Sequence, residues 1–500
     1  MEKLNILRNS SFGERIAEQE RERIKEYFVE TDAFRRISKG EIDIIKGAKG
    51  SGKSAIYSIL TDRLEDFSQK NIALINAEKP RGNPVFKNLE TDPPSSPEEF
   101  IMMWKLYLSL IVSNYLIENG IRGDKVNRVM SLLREMELIP EDKSILNYIL
   151  YAVDYVKRIF RPDGVEAGMS INENSGAVSG FTFKIIPGEP KVPELKAGII
   201  SIDSLLSILN EIFTENSLTI WILIDRLDVA FTENPELENR ALRALFRVYL
   251  DMIEYEQIHL KIFLRDDIWD RITNEGFREA SHIVKQLTLK WSKPTIINLI
   301  IRRLLSNDLI EQYYNVQRDK VLMDIHAQNT LFKRVFPSKI ELGKRQSYTY
   351  DWIHSRVTGA DDKITPREII HLMNVTKDLE IKRIEVGETE APAEQLFSRQ
   401  AIKEAINPVS VSKLTQTIYA EYPSLRSYIE MLSNQRTEQS YDSLKKLWAI
   451  SDAELSNILE SLVNIGFFQK ITTRDKGIRY KVPFLYRPAL NMVQGSVDNQ

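Results

Sequence analysis

Eight residues near the start of the chain, Gly47 to Ser54, read GAKGSGKS and follow the strand-like run EIDIIKG. Apolar residues from Ala55 to Phe67 then recur at helical spacing, so a strand, a glycine-rich turn and an amphipathic helix are predicted in succession. Glycines at 47 and 52 allow a tight turn whose backbone N–H groups converge at a helix N-terminus. Such a turn binds polyphosphate, and we interpret this segment as a phosphate-binding loop.

Two side chains of the loop have predicted roles. Lys53 places a point charge on the terminal phosphates, and Ser54 offers a hydroxyl to the Mg²⁺ that neutralises them. The other residues predicted to bind nucleotide are Gly47, Ala48, Lys49, Gly50, Ser51, Gly52 and Ala55. The sequence therefore predicts ATP and Mg²⁺ as ligands.

Further strand-like runs follow the loop, and helical patterns separate them. The runs Ile72 to Asn76, Leu218 to Asp225 and Ile258 to Leu264 are almost continuously apolar. Strands of this kind, alternating with helices, predict a parallel sheet covered on both faces. Between the second and third strands lies an insertion, residues 85–193. We expect several helices there, the first opened by Ser96 as N-cap with Pro97 after it, then a hairpin around NENSG and a proline-rich linker.

Charged residues follow two of these strands. Asp225 ends an apolar strand, which predicts a Mg²⁺-binding carboxylate at the sheet edge, although a turn or cap role is the alternative. The water-activating acid expected next is replaced by Arg226, which makes Asp228 the candidate base or a helix cap. Arg265 is a candidate contact for the terminal phosphate, or a partner of a neighbouring aspartate. Arg367 opens a later helix and is a candidate reporter of nucleotide state, or a surface arginine.

The last hundred residues predict a separate module. A helix from Tyr441 to Trp448, a second helix opened by a capping box of Ser451 and Glu454 and ended at Gly466, and two strands joined by TTRDKG are typical of a winged helix. Basic residues concentrate in this wing: Lys470, Arg474, Lys476, Arg479, Lys481 and Arg487. They are a candidate nucleic-acid surface, while protein contact or solubility are alternative roles.

Composition limits the binding partners, the cysteine chemistry and the location that the chain can have. The formal net charge is −3 at pH 7, which gives no global attraction to nucleic acid or membrane. The chain has no cysteine, so disulfides and thiol catalysis are excluded. The charged N-terminus lacks the apolar run of a signal peptide, and we expect no membrane-spanning stretch and a cytoplasmic location.

The motifs resemble those of STAND and AAA-like bacterial P-loop ATPases with a DRLD-type Walker B sequence. The resemblance rests on AEQERERIKEYFVET, KGAKGSGKSA, WILIDRLD, KIFLRDDIW and TPREII, followed by the winged helix. It implies a five-stranded core of the additional-strand type, a helical lid, bound ATP and Mg²⁺, and assembly controlled by nucleotide. Relatives often occur among bacterial stress or antiviral defence genes. The missing Asp-Glu pair departs from the family pattern.

The predicted fold class is therefore α/β, a P-loop NTPase core with a helical insertion, a helical lid and a C-terminal winged helix. The predicted domains are an N-terminal helical segment, 1–39, with one helix from Phe12 to Ile37; the core, 40–293, with its insertion at 85–193; the lid, 294–393; and the winged-helix domain, 394–500.

Three functions agree with these patterns. The first is an ATP-hydrolysing switch that forms homo-oligomers and acts on a protein partner or effector chain. The second is an ATP-dependent protein that binds DNA through the basic wing. The third is a scaffold that binds ATP without hydrolysing it.

Overall fold

The computed structural model describes residues 2–497, except 17–18, 21–22, 78–92, 139–144, 161–167, 172–177, 183–201, 228–233, 389 and 474–476. The chain forms two compact units. Unit 1 comprises Met1–Thr31, Ala48–Gly52 and Lys290–Gln500, and unit 2 comprises Asp32–Gly47 and Lys53–Leu289. The four domains predicted from the sequence stay a prediction.

A five-stranded parallel sheet forms the centre of unit 2. Its strands are β1 (Ile44–Gly47), β2 (Ile72–Asn76), β5 (Thr219–Ile224), β6 (Ile258–Arg265) and β7 (Gln286–Thr288), and β3 (Gly168–Ile171) pairs with β4 (Val178–Thr182) in a separate hairpin. The strand order is β2-β5-β6-β1-β7. Because β6 lies between β1 and β5, the sheet has the additional-strand arrangement of P-loop NTPases, and the predicted fold class is confirmed.

Helices surround the sheet of unit 2; some pack on its strands, whereas Asp124–Glu135 and Ile145–Phe160 pack on neighbouring helices. Their bounds are Asp32–Ser38, Lys53–Asp62, Leu64–Ser68, Pro97–Glu118, Asp124–Glu135, Ile145–Phe160, Ile202–Glu215, Pro235–Met252 and Asp266–Asn274. Central strand residues such as Ile44, Ile222 and Ile262 are fully buried. Because both faces of the sheet are covered, both faces of its strands are apolar. The continuous apolar runs in the sequence predicted this arrangement.

Among the described helices of unit 2, Pro97–Glu118 is the longest and the most apolar. Its start is confirmed, because the Ser96 hydroxyl caps it by accepting a hydrogen bond from the Glu99 backbone N–H at 3.2 Å. By length and composition it could cross a membrane, so the expectation that no stretch reaches this apolar length was wrong within the described residues. Most of its apolar stretch, 72%, is buried. The Trp104 indole N–H donates a hydrogen bond to the Ala241 carbonyl at 2.9 Å. Packing inside unit 2 accounts for its apolar length.

Unit 1 contains helices and a small sheet. Its helices are Glu2–Asn9, Ile24–Tyr27, Lys293–Leu304, Asp308–Tyr314, Arg318–Met323, Ile325–Val335, Thr349–Val357, Pro366–Glu385, Arg399–Lys413, Tyr419–Glu421, Arg426–Glu430, Tyr441–Trp448 and Asp452–Asn464, with a π-helical turn at Leu414–Ile418. The predicted helical region after residue 294 is confirmed. The proline-rich linker predicted at 187–193 lies outside the described residues.

The winged helix is present in unit 1. Strands β8 (Arg436–Ser440), β9 (Gln469–Thr473), β10 (Gly477–Lys481) and β11 (Val493–Ser496) form its sheet in the order β11-β8-β10-β9. The Ser451 hydroxyl caps the second helix by accepting from the Glu454 N–H at 3.3 Å. The Glu454 carboxylate accepts instead from the Tyr428 hydroxyl at 2.9 Å.

The N-terminal segment differs from prediction. One helix was expected from Phe12 to Ile37, but two short helices, Ile24–Tyr27 and Asp32–Ser38, lie in that range. Gly13 has a φ of +78°, which a helix does not allow. The helix Glu2–Asn9 was not predicted.

Candidate functional site

The glycine-rich loop connects β1 to the helix Lys53–Asp62, as predicted. Gly50 and Gly52 have φ values of +84° and +100°, a conformation that favours residues without a Cβ atom. Gly47 was expected to share in the turn, but it still belongs to β1, where it pairs with Arg265. The sharp turn therefore lies between residues 48 and 52.

Lys53 begins the helix that follows the loop. Its Nζ donates to the Gly47 carbonyl at 2.7 Å, so the ammonium group lies beside the residue that ends β1. Ser54 and Ala55 follow in the first helical turn. Backbone N–H groups at such a helix start have no helical acceptor and carry partial positive charge. The start of this helix thus places a cation, a serine hydroxyl and the partial positive charge of its backbone N–H groups near one another.

The apex of the loop, Ala48–Gly52, belongs to unit 1. Lys49 Nζ forms an ion pair with Glu421, whose side chain is only 16% exposed. The Trp291 indole donates to the Ser51 carbonyl at 2.8 Å. No local pattern identified either partner, because they lie 372 and 240 residues from the loop.

Arg367 also lies at the apex. A Cβ atom added to Gly50 would come within 2.7 Å of the Arg367 Cβ and 3.2 Å of the Thr365 hydroxyl. The Arg367 guanidinium Nε is buried and has no hydrogen-bond partner among the described residues. The structure therefore places this predicted site residue against the loop.

Asp225 and Arg265 lie at the same edge of the parallel sheet. Asp225 directly follows β5 and is 7% exposed, and Arg265 is the last residue of β6. With β6 between β5 and β1, Asp225 lies about two strand spacings, roughly 10 Å, from the strand that leads into the loop. The carboxyl edge of the sheet thus carries a carboxylate and a guanidinium near the start of the loop.

Arg265 forms a two-point ion pair with Asp267, the alternative that the sequence had left open. Its Nε and Nη2 donate to the two carboxylate oxygens at 3.0 and 2.6 Å. Partial burial would raise the pKa of Asp267, but the hydrogen bond and charge of Arg265, with a smaller contribution from Lys53, hold it below its ordinary value. Asp267 is therefore an ionised group that orients Arg265 near Lys53.

The catalytic base remains a prediction. Asp228 lies outside the described residues. Arg226, which occupies the position where an acid was expected, has a φ of +59°. This left-handed conformation is uncommon for a residue with a Cβ atom and is found mostly at turns and functional sites. The chain therefore turns sharply directly after Asp225.

The basic wing is less exposed than the sequence suggested. Arg479 is 6% exposed and Arg487 is 7% exposed, and Arg487 Nε donates to the Val482 carbonyl at 2.8 Å. Lys470 is exposed and Lys481 is half-buried, while Arg474 and Lys476 lie outside the described residues. Reading Arg479 as a surface contact was wrong, because its side chain lies in the interior of the winged-helix domain.

Comparison with known proteins gives structural similarity only. No protein-family model matches the sequence. No curated protein matches it either.

Three solved structures of archaeal proteins match over most of this chain, each with a TM-score below 0.5. The Aeropyrum pernix ORC1 protein in complex with DNA is 10% identical, covers 92% of this chain and 91% of its own, and has a TM-score of 0.34. The Aeropyrum pernix ORC2 protein, in ADPNP-ADP complexes, is 10% identical with coverages of 91% and 90% and a TM-score of 0.40. Cdc6p from Pyrobaculum aerophilum is 11% identical with coverages of 90% and 86% and a TM-score of 0.27. Similarities of this size assign neither a family nor a ligand to the chain.

Proposed function

We propose that the chain is an ATP-binding and ATP-hydrolysing P-loop ATPase that acts as a nucleotide-dependent switch. The observation that carries this proposal is the placement of the loop Gly47–Ser54. It turns sharply between β1 and a helix N-terminus, with Asp225 two strands away on the same sheet edge. Open α/β sheets bind ligands at this edge.

The residues present fit a polyphosphate. Left-handed glycines at 50 and 52 keep the turn free of two Cβ atoms, and the Ser51 hydroxyl is buried without a hydrogen-bond partner in the described part of the chain. Backbone N–H groups and the Lys53 ammonium are donors suited to phosphate oxygens. The Ser54 hydroxyl and Asp225 carboxylate are oxygen ligands of the type that Mg²⁺ prefers, the latter directly or through water. A bound Mg²⁺ would neutralise phosphate charge during transfer.

Each side chain then has a distinct task. Lys53 binds the terminal phosphates. Arg265, oriented by Asp267, places its guanidinium at the sheet edge, where it can stabilise negative charge that develops on the transferred phosphate. Asp228 is our proposed group for orienting the attacking water. Arg367, which packs against the loop apex, is proposed to contact the nucleotide there.

Contacts of the apex support the switch. Lys49 pairs with Glu421, and the Ser51 carbonyl accepts from Trp291. Phosphate binding to apex N–H groups would act on the backbone that carries these contacts. Nucleotide state is thereby coupled to the segment of unit 1 that follows residue 290.

The test compares Mg-ATP affinity and turnover in Lys53→Ala, Asp225→Asn and the wild type. Lys53→Ala removes a charged hydrogen bond, so we expect affinity to fall roughly 10- to 100-fold. Asp225→Asn should lower turnover more than affinity. Lys39→Ala, an exposed lysine before β1, is the control and should change neither. Wild-type affinity in Lys53→Ala would contradict the proposed site.

The same experiment separates the alternatives. ATP binding without turnover, unaffected by Asp228→Ala, would favour the scaffold. Binding to duplex DNA that weakens steeply with salt and decreases in Lys470→Ala would favour the DNA-associated protein. Mass measured with and without ATP tests the proposed homo-oligomer.

A further inference from the structure

Arg15 lies in the N-terminal segment of unit 1, between the helices Glu2–Asn9 and Ile24–Tyr27. Its Nη2 donates to the Ser412 hydroxyl at 2.7 Å. Ser412 in turn donates to the Gln416 side chain at 3.0 Å. The guanidinium is thus held in place by a neutral hydroxyl.

Hydrogen bonds fix the segment that carries Arg15. The Asn374 side chain donates to the Gly13 carbonyl at 2.7 Å, and the Glu14 N–H donates to the Glu20 carboxylate at 2.6 Å. Arg303 binds that same carboxylate and the Phe12 carbonyl. Arg15 is therefore presented from a fixed turn.

The hydrogen-bonding capacity of Arg15 and Arg367 is incompletely used. In each guanidinium the Nε atom is buried without a hydrogen-bond partner in the described part of the chain. Neither side chain forms an ion pair there. Buried donors of this type are expensive to leave unpaired, which favours a ligand with acceptor oxygens.

Arg15 and Arg367 carry like charges in the same part of unit 1, because Ser412, which binds Arg15, precedes Lys413, which binds Glu368 beside Arg367. Burial, and then the charge of Arg367, lower the pKa of Arg15, while Glu368 opposes this. Glu368 is already occupied, since its carboxylate accepts from Lys413 at 2.8 Å and from the Thr365 hydroxyl. Two partly buried like charges cost free energy that a bound anion would offset.

The position of Arg367 indicates which anion the two arginines would bind. Arg367 packs against Gly50 of the apex, whose backbone is the part of the loop that turns most sharply. We propose that Arg15 is a phosphate-binding residue that acts with Arg367 on the polyphosphate of a nucleotide bound at the apex. This inference rests on the proposed function and adds a residue, from the N-terminal segment, that no sequence motif identified.

The test measures ATP and adenosine affinity by calorimetry in full-length Arg15→Gln and Arg15→Lys. We expect Arg15→Gln to weaken ATP binding roughly tenfold, to leave adenosine binding unchanged and to lower the salt dependence of ATP binding. Arg15→Lys keeps the charge and should recover part of the affinity. Arg35→Gln, an exposed arginine of unit 2, is the matched control and should bind like the wild type.

Two results would overturn the inference. Arg15→Gln binding ATP like the wild type, while Lys53→Ala loses affinity, would refute the role of Arg15 and leave the proposed function standing. Equal losses in Arg15→Gln and Arg15→Lys, with adenosine binding also reduced, would assign Arg15 a structural role. Failure of wild-type protein to bind ATP would instead refute the proposed function.

Discussion

Gly50 combines two constraints at one residue. Its φ is +84°, and a Cβ atom there would lie 2.7 Å from the Arg367 Cβ. Gly50→Ala should therefore destabilise unit 1 by about 2–4 kcal/mol, the sum of left-handed strain of about 1–2 kcal/mol and steric overlap. Urea denaturation measures this loss.

Gly120 supplies the matched control. Its φ is +67°, but a Cβ atom there would meet nothing within 4 Å. Gly120→Ala should cost only the backbone strain, about 1–2 kcal/mol. Equal losses for the two variants would show that the contact between Gly50 and Arg367 is not restrictive.

Individual site residues could be predicted from the sequence where they are adjacent in the chain. The loop, Lys53 and Ser54 follow from eight adjacent residues whose spacing is fixed by backbone geometry. Trp291 and Glu421 could not be found in this way, because only tertiary packing brings them to the loop. The proposed phosphate contact Arg15 likewise has no local sequence signal. The burial of Arg479 was missed for the same reason.

Among the elements, the N-terminal segment depends on one buried ion pair. Arg303 Nη2 and Glu20 Oε2 are 3.3 Å apart, and both side chains are at most 6% exposed. Glu20→Ala would leave a buried guanidinium without its partner, so we expect a loss of about 3–5 kcal/mol in the free energy of unfolding.

An exposed pair in the same unit gives the comparison. Arg8 and Glu385 are 2.7 Å apart, but their side chains are 56% and 45% exposed. Glu385→Ala should cost at most about 1 kcal/mol. Similar losses for both variants in urea denaturation would contradict the assignment of Glu20 as an anchor.

Elements with strong local signals were predicted well. The Ser96-Pro97 start gave the helix to Glu118, and continuous apolar runs gave β2, β5 and β6. The three-residue strand β7 was missed because so short a run carries no period of its own. The helix expected from Phe12 failed because tertiary hydrogen bonds around Glu20 outweigh the local pattern.

For the whole molecule, the free energy of unfolding should depend on pH, because each unit contains a histidine with a lowered pKa. Burial, and then the charge of Arg15, lower the pKa of His371 to about 4, although Glu368 opposes this. In unit 2, burial, and then the charge of Lys261, lower the pKa of His259. The unfolded chain protonates both near pH 6.5. Stability is therefore expected to fall as pH decreases from about 6.5 towards 4, where the penalty for His371 is nearly complete.

Urea denaturation at about pH 7 and about pH 5.5 measures this effect. His371→Gln and His259→Gln should each reduce the difference in unfolding free energy between the two conditions. The exposed His326→Gln is the control and should keep the wild-type difference. An unchanged difference in both test variants would contradict the prediction.

The composition of unit 1 has a consequence for synthesis on the ribosome. Unit 2 lies within residues 32–289, whereas unit 1 needs residues before 32 together with residues beyond 289. At about 5–20 residues per second, translating the roughly 200 residues after position 289 takes on the order of 10–40 s. Within unit 1, Glu20 waits for Arg303, which comes 283 residues later, and Lys49 of the loop apex waits for Glu421, which comes 372 residues later. A nascent chain therefore cannot form these contacts of unit 1 until translation has passed Arg303 and Glu421.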